Sequence, residues 1–580
     1  MASSNGPSPL RRFFSLLRPD RKEIGYIYTY AVLIGILALV GPLGVQAIIN
    51  LIAGGDFNAS LVVLVAVVTG ASVLVGVLKV MQYVIAETLQ RRLFSKASFE
   101  FAYRLPRIKL AELKDHYPPE LVNRFFDVIT VQKGLPKILL DLSGAVMQIL
   151  FGLVLLSLYH PFFAVFGGVL LLLLALILRL TAPTGLSTSL TESKYKYKVA
   201  GWLEDIARAS NTFKLAGGER LTMRRTNDLL GGYLDARSAH FKILLYHYFG
   251  LIAFQALVTA CFLLLGGKLV IDNQINIGQF VAAEIVILLI IGSAEKLIFT
   301  LDVVYDTLTG VEKIAAVTDL EIEEEGTLEF ASIDTGSGMS VTANKLSFVY
   351  PESGVVALKD INFELSSNER ICIAGYNRSG RSTLIQLLAG SRKDYSGILA
   401  FNQIPMANLK LEGLRKSIGD YTPEESIIPG TLIDNICLGH PDVSFADVQW
   451  ALGVAQLSAW VSEQPGGYDT QMVAEGLNVP GSVRVRLLVA RAIVRRPRLL
   501  VLGNLLDRLE PITRRKIVAQ LADKRQQWTL VILSNEPEVV RSCDRVLLLR
   551  RGEISFDGTP KDALAYEPTK EIWLTSSTTI

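Results

Sequence analysis

Nine residues, Gly375-Tyr376-Asn377-Arg378-Ser379-Gly380-Arg381-Ser382-Thr383, follow the apolar run Ile371–Ala374 and run into a helix start read at Ser382-Thr383-Leu384. Two glycines five apart, then a cation and two hydroxyls, make the spacing G-x-x-x-x-G-K-[ST] of a phosphate-binding loop, with Arg381 where lysine is expected. In such a loop, backbone N–H groups and a helix N-terminus cradle the phosphates, the lysine reaches their outer oxygens, and the hydroxyl holds Mg²⁺. Arg381 keeps the charge but replaces a compact ammonium with a planar fork. Arg378 adds a second cation to the loop. The chemistry indicated is the holding of nucleotide phosphates.

The rest of the chain must position that loop. Its 580 residues are 50% hydrophobic and 19% charged, with a mean hydropathy of +0.37. That is long enough for several domains and too apolar for a wholly soluble protein. A formal charge of +3 gives no footing for a nucleic-acid partner, and none is expected. The four cysteines, Cys261, Cys372, Cys437 and Cys543, show no close spacing. Metal and disulfide roles are therefore not expected, and a reduced cytoplasmic setting fits.

Six apolar runs, near 24–53, 61–86, 138–159, 161–181, 246–271 and 278–300, each reach the ~20 residues of a spanning helix. The links 53–60, 159–161 and 266–278 are short and carry only Lys268 as a basic residue, whereas 87–137 and 182–245 are long and rich in Lys and Arg. The positive-inside rule places the long segments and both termini in the cytoplasm. These segments read as helices that extend the bundle into water, with Pro118-Pro119 interrupting the first so that a short helix crosses between two longer ones. Residues 1–23 read as an amphipathic elbow on the membrane surface, 24–318 as the membrane domain and 319–338 as an acidic linker. Residues 339–580 read as a soluble α/β domain whose buried parallel strands include Leu499–Leu502 and Leu530–Leu533. Lys79, Glu284, Glu295, Lys296 and Asp302 lie in or near the spans. Glu284, in mid-run, reads either as lining a pathway or as paired to a neighbour.

This order of features resembles an ABC exporter half-transporter, six spanning helices fused to one nucleotide-binding domain, over nearly the whole chain. The stretches LVNRFFDVITVQKG (121–134) and KYKVAGWLEDIAR (196–208) look closest to the haemolysin-type protein-secretion branch. The resemblance implies a dimer of halves sandwiching two ATP molecules, each site joining the phosphate loop and acidic strand of one half to the signature loop of the other. It implies a homodimer, or a heterodimer with another half-transporter, in a bacterial cytoplasmic membrane, with a secretion adaptor as a further partner.

Carried over position by position, the resemblance assigns nucleotide binding to Tyr350, as the residue stacking on adenine, and to Gly375, Asn377, Arg378, Gly380, Arg381, Ser382 and Thr383. The remaining positions depart from the family. Glu424, in YTPEES, replaces the glutamine offered to Mg²⁺ and the attacking water. In the signature loop, Val479–Val483 before RVRLLVARA, the serine becomes Pro480, with neither hydroxyl nor N–H. The Asp-Glu that ends the acidic strand becomes Gly503-Asn504, and the histidine after the next strand becomes Asn535. Glu424, Glu425 and Asp507 are candidates to replace a lost metal ligand. A positioned acid–base group is worth ~10²–10⁴-fold in rate, so so many losses point to a domain that binds ATP and Mg²⁺ weakly and hydrolyses little. The expected function is an exporter-like transport subunit with impaired or absent hydrolysis. An active exporter with rebuilt chemistry and a non-transporting scaffold are the alternatives.

Overall fold

The computed structural model describes residues 7–53, 59–110, 112–113, 118–330, 338–351, 353–421, 426–567 and 572–573. The chain divides into two compact units, residues 1–108 with 112–322, and 109–111 with 323–580.

The first unit is helical. Among the described residues six stretches are long and apolar enough to cross a membrane: Pro9–Ala53, Ala59–Arg107, Glu120–Tyr159, Pro161–Arg208, Glu219–Ile271 and Ile277–Thr318. Each expected apolar run falls within one of them. The fourth run and the first part of the segment after it, as far as Arg208, form one continuous 48-residue helix that carries Pro183 in its interior. Pro118 begins the short helix Pro118–Asn123 after the non-helical residues 108–110 and 112–113, since proline costs little where the first N–H groups lack helical partners anyway. A turn of π-helix, Lys137–Leu142, interrupts the third stretch.

This unit packs around buried Leu156, Phe163, Phe254, Val258, Ala283 and Val286. Close approach depends on small residues. A Cβ on Gly185 would lie 2.5 Å from the ring of Tyr305, itself only 3% exposed. Beside that contact, Thr188 Oγ1 lies 2.8 Å from His240 Nδ1, and His240 Nε2 lies 3.5 Å from Asp302. Glu295 accepts a long hydrogen bond from Gln255 at 3.4 Å. Lys79 and Lys296 are exposed and Glu284 is half-buried. Near residue 127, buried Asp127 accepts from the Tyr197 hydroxyl.

The second unit is an α/β domain. Among the described residues its twelve strands are β1 Val341–Val349, β2 Val356–Leu365, β3 Arg370–Gly375, β4 Ser396–Phe401, β5 Ile404–Pro405, β6 Ile418–Tyr421, β7 Gly430–Thr431, β8 Gln471–Met472, β9 Leu499–Leu502, β10 Thr529–Leu533, β11 Arg545–Arg550 and β12 Glu553–Gly558. They form a six-stranded sheet in the order β12-β11-β3-β10-β9-β6, a four-stranded sheet β2-β1-β4-β5 and the pair β7-β8. In the larger sheet β11, β3, β10, β9 and β6 run parallel. The strands β3, β9 and β10 are fully buried, as near-continuous apolar runs in a two-sided parallel sheet should be. Ligands of open parallel sheets lie beyond the carboxyl ends of the strands. The register sets Leu533 beside Ile373 and Ile532 beside Leu502. The loops that follow β3, β10 and β9 therefore leave the sheet side by side.

Candidate nucleotide site

The phosphate loop leaves β3 at Gly375, where φ is +148°, and a Cβ there would meet the Leu549 carbonyl oxygen at 2.3 Å. Gly380 closes the loop at φ +98°, with the Ala357 carbonyl oxygen at the same distance from a Cβ. Both positions require glycine. Between them Arg378 takes a left-handed φ of +64° and is exposed, as are Asn377 and Ser382. The Ser379 hydroxyl is buried and lacks a hydrogen-bond partner. Arg381 is the first residue of the helix Arg381–Leu388, one position ahead of the expected start.

Arg381 does not project freely from the loop. Its Nη1 donates to Asn535 Oδ1 at 2.8 Å. The same oxygen accepts from the Gly375 amide at 3.1 Å, and Asn535 Nδ2 donates back to the Gly375 carbonyl at 3.1 Å. Burial lowers the Arg381 pKa from the ordinary arginine value, with the Asp507 carboxylate opposing that shift. Asp507 accepts from the Ser534 hydroxyl at 2.7 Å. Burial pushes its carboxyl up to about 6 against the pull of that bond, and the charges of Arg514 and Arg381 also pull it down. Arg514 pairs with Glu536 at 3.0 Å.

Tyr350 is half-buried. Its hydroxyl lies 2.9 Å from Thr383 Oγ1, its ring meets Phe348 edge-on, and the Arg392 guanidinium lies 5.2 Å from its centroid. The position expected to stack on adenine is thus tied to the helix that begins at Arg381 and flanked by a cation. Single-sequence reading missed Arg392, Ser379 and the Ser534–Asp507 bond; the sequence carries no local signal for any of them.

Gly503 is buried and extended at φ −68°, and exposed Asn504 opens a short 3-10 turn, Asn504–Arg508. Pro480 is the N-cap of the helix Gly481–Ile493, without a side-chain cap bond, and is exposed. Glu424 and Glu425 lie outside the described residues. The loop geometry fits a phosphate. For Mg²⁺, which requires near-octahedral oxygen donors, the fit is poor: Ser382 keeps its hydroxyl, Gly503 offers no side chain, and Asp507 is engaged by Ser534. No cluster of three or more His, Cys, Asp or Glu suited to a metal occurs among the described residues.

Two family models match the chain: the ABC transporter transmembrane region over residues 24–293 and the ABC transporter model over 358–505. The ATP-dependent lipid A-core flippase of Ralstonia nicotianae is 24% identical over 97% of this chain and 95% of its own length. The uncharacterized ABC transporter ATP-binding protein YfiB of Bacillus subtilis is 29% identical over 53% of this chain, and the alpha-hemolysin translocation ATP-binding protein HlyB of Escherichia coli O157:H7 is 25% identical over 63%. The chain spans about half the length of these last two, 54% and 51%. In fold it is similar to a bacterial Atm1-family ABC exporter solved with ATP bound, at a TM-score of 0.85 over 96% of this chain and 98% of that one, with 18% identity. Six apolar helices, a parallel-sheet domain with a phosphate loop, and both family models together make this chain a member of the ABC transporters, a half-transporter of the exporter type.

Proposed function

We propose that this chain is an exporter subunit that holds nucleotide at its phosphate loop but hydrolyses it little or not at all, working as a dimer of halves in a cytoplasmic membrane. The membrane domain is residues 24–318, and the nucleotide-binding domain starts near 339. The observation that carries the reading is the engagement of Arg381 by Asn535, together with Gly503 and Asn504 at the end of β9. A group that cannot accept a proton cannot serve as general base, and an absent side chain cannot orient one. The basic segments 87–137 and 182–245 support a cytoplasmic nucleotide-binding domain and cytoplasmic termini.

The retained loop has work to do without turnover: nucleotide binding can shift a conformational equilibrium by its differential affinity for two states. The test is nucleotide binding and phosphate release by the full-length chain in liposomes, alone and with any co-purifying half-transporter. Binding with turnover at background is expected. ATPase activity abolished by Arg381→Ala would overturn the reading.

A further inference from the structure

We propose that the phosphate loop binds its nucleotide without a divalent cation, Arg381 and Arg378 supplying the countercharge. This rests on the reading that the loop still holds nucleotide. A nucleoside di- or triphosphate brings several negative charges, and a site that takes it must answer them. Mg²⁺ dehydrates reluctantly and is held through carboxylates and phosphate oxygens in a near-octahedral shell. The end of β9 puts Gly503 and Asn504 where the family resemblance expects carboxylates, and Asp507, half-buried in the turn that follows, is engaged by the Ser534 hydroxyl.

Cations take up the difference. Arg381 and Arg378 stand three residues apart within one loop, on either side of Ser379-Gly380. A guanidinium carries five N–H donors in a fork that grips phosphate oxygens in pairs, and Asn535 accepts from only Nη1 of Arg381. The bond to Asn535 orients the fork; it leaves Nε and Nη2 for an oxyanion. The N-terminus of the helix Arg381–Leu388 adds its partial positive charge.

A separate observation points to a ligand at the same place. The Ser379 side chain is 3% exposed, and its Oγ has no partner. That oxygen lies 3.0 Å from where a Cβ on Gly375 would sit, inside the curve of the loop. A buried hydroxyl left without a bond is costly, and a phosphate oxygen in the loop would satisfy it.

The experiment is calorimetric titration of the full-length chain in detergent with ATP, once with excess EDTA and once with millimolar Mg²⁺. The two affinities are expected to agree within about twofold, and Arg381→Ala in EDTA to weaken binding by about tenfold or more, the scale of one lost charge-assisted contact. Because Arg381 is largely buried, the exposed Arg378→Asn, which tolerates the left-handed backbone, gives a second reading, with a loss of about threefold or more in EDTA. Affinity that collapses in EDTA and returns with Mg²⁺ overturns the metal-free site while leaving nucleotide binding standing. Equal affinities that neither arginine variant changes also overturn it. Absence of binding under both conditions removes the retained-binding reading, and this inference with it.

Discussion

Asn535 and Arg381, 154 residues apart in sequence, share a 2.8 Å hydrogen bond, and the same Asn535 oxygen takes the amide of Gly375. The residue that stands at the family's histidine position is thus a structural clasp on the phosphate loop. Asn535→Ala leaves that amide and a largely buried guanidinium without their acceptor. A buried donor without a partner costs about 1–3 kcal/mol, and the variant is expected to lose about that much stability. Thermal unfolding of the detergent-solubilised chain, followed through the fluorescence of buried Trp528, measures it. An unchanged midpoint would contradict the clasp.

Asn504→Glu returns a carboxylate to the end of β9 but leaves Gly503, Asn535 and Pro480 as they are. Since groups that act as a unit are strongly non-additive, this single change is expected to leave phosphate release at the level of the unaltered chain. A rise of about a hundredfold, the lower end of what one positioned acid–base group supplies, would show that the remaining machinery is intact.

Asp507 predicts a pH dependence. Its carboxyl is pushed up to about 6 on folding, from an ordinary value of 3.8. Below pH ~4 it is protonated in both states, and the native state holds its full advantage; as pH rises through ~6 a buried carboxylate must form and that advantage is lost. Asp507→Asn is expected to flatten this fall by up to ~3 kcal/mol, seen as a smaller drop in thermal midpoint between pH 4 and 7.5. Parallel curves for the two proteins would refute it.

Gly185 faces the Tyr305 ring with no room for a methyl group. Gly185→Ala is expected to destabilise the membrane unit by about 1–3 kcal/mol, the usual cost of overpacking. Combining it with Tyr305→Ala should give less than the sum of the two losses, because the second change removes the atoms the first one meets. Thermal midpoints of the three variants in one detergent decide it, and strict additivity would deny the contact.

The large elements were legible because their signals are local. Runs of apolar residues fixed the six helical stretches, and Leu499–Leu502 was readable to the residue as a buried strand. Pro118-Pro119 was legible as an interruption followed by a short helix, since a proline favours the first turn of a new helix. The phosphate loop was readable from spacing alone. Its surroundings were not: the Asn535 bond, the Ser534–Asp507 bond and the packing of Arg392 against Tyr350 join residues that only the parallel register brings together. Nor did spacing show that Cys372 and Cys543 share one buried cluster beneath the loop; there the neighbouring Cys543 thiol and burial raise the Cys372 pKa.

The helix Glu219–Ile271 runs 53 residues without a proline. At 1.5 Å per residue it is ~80 Å long, against ~30 Å of hydrocarbon in a bilayer. About 50 Å of it therefore stands outside the lipid on the same unbroken axis. Mechanically it is a rod with no joint, so a small tilt at one end becomes a much larger sweep at the other.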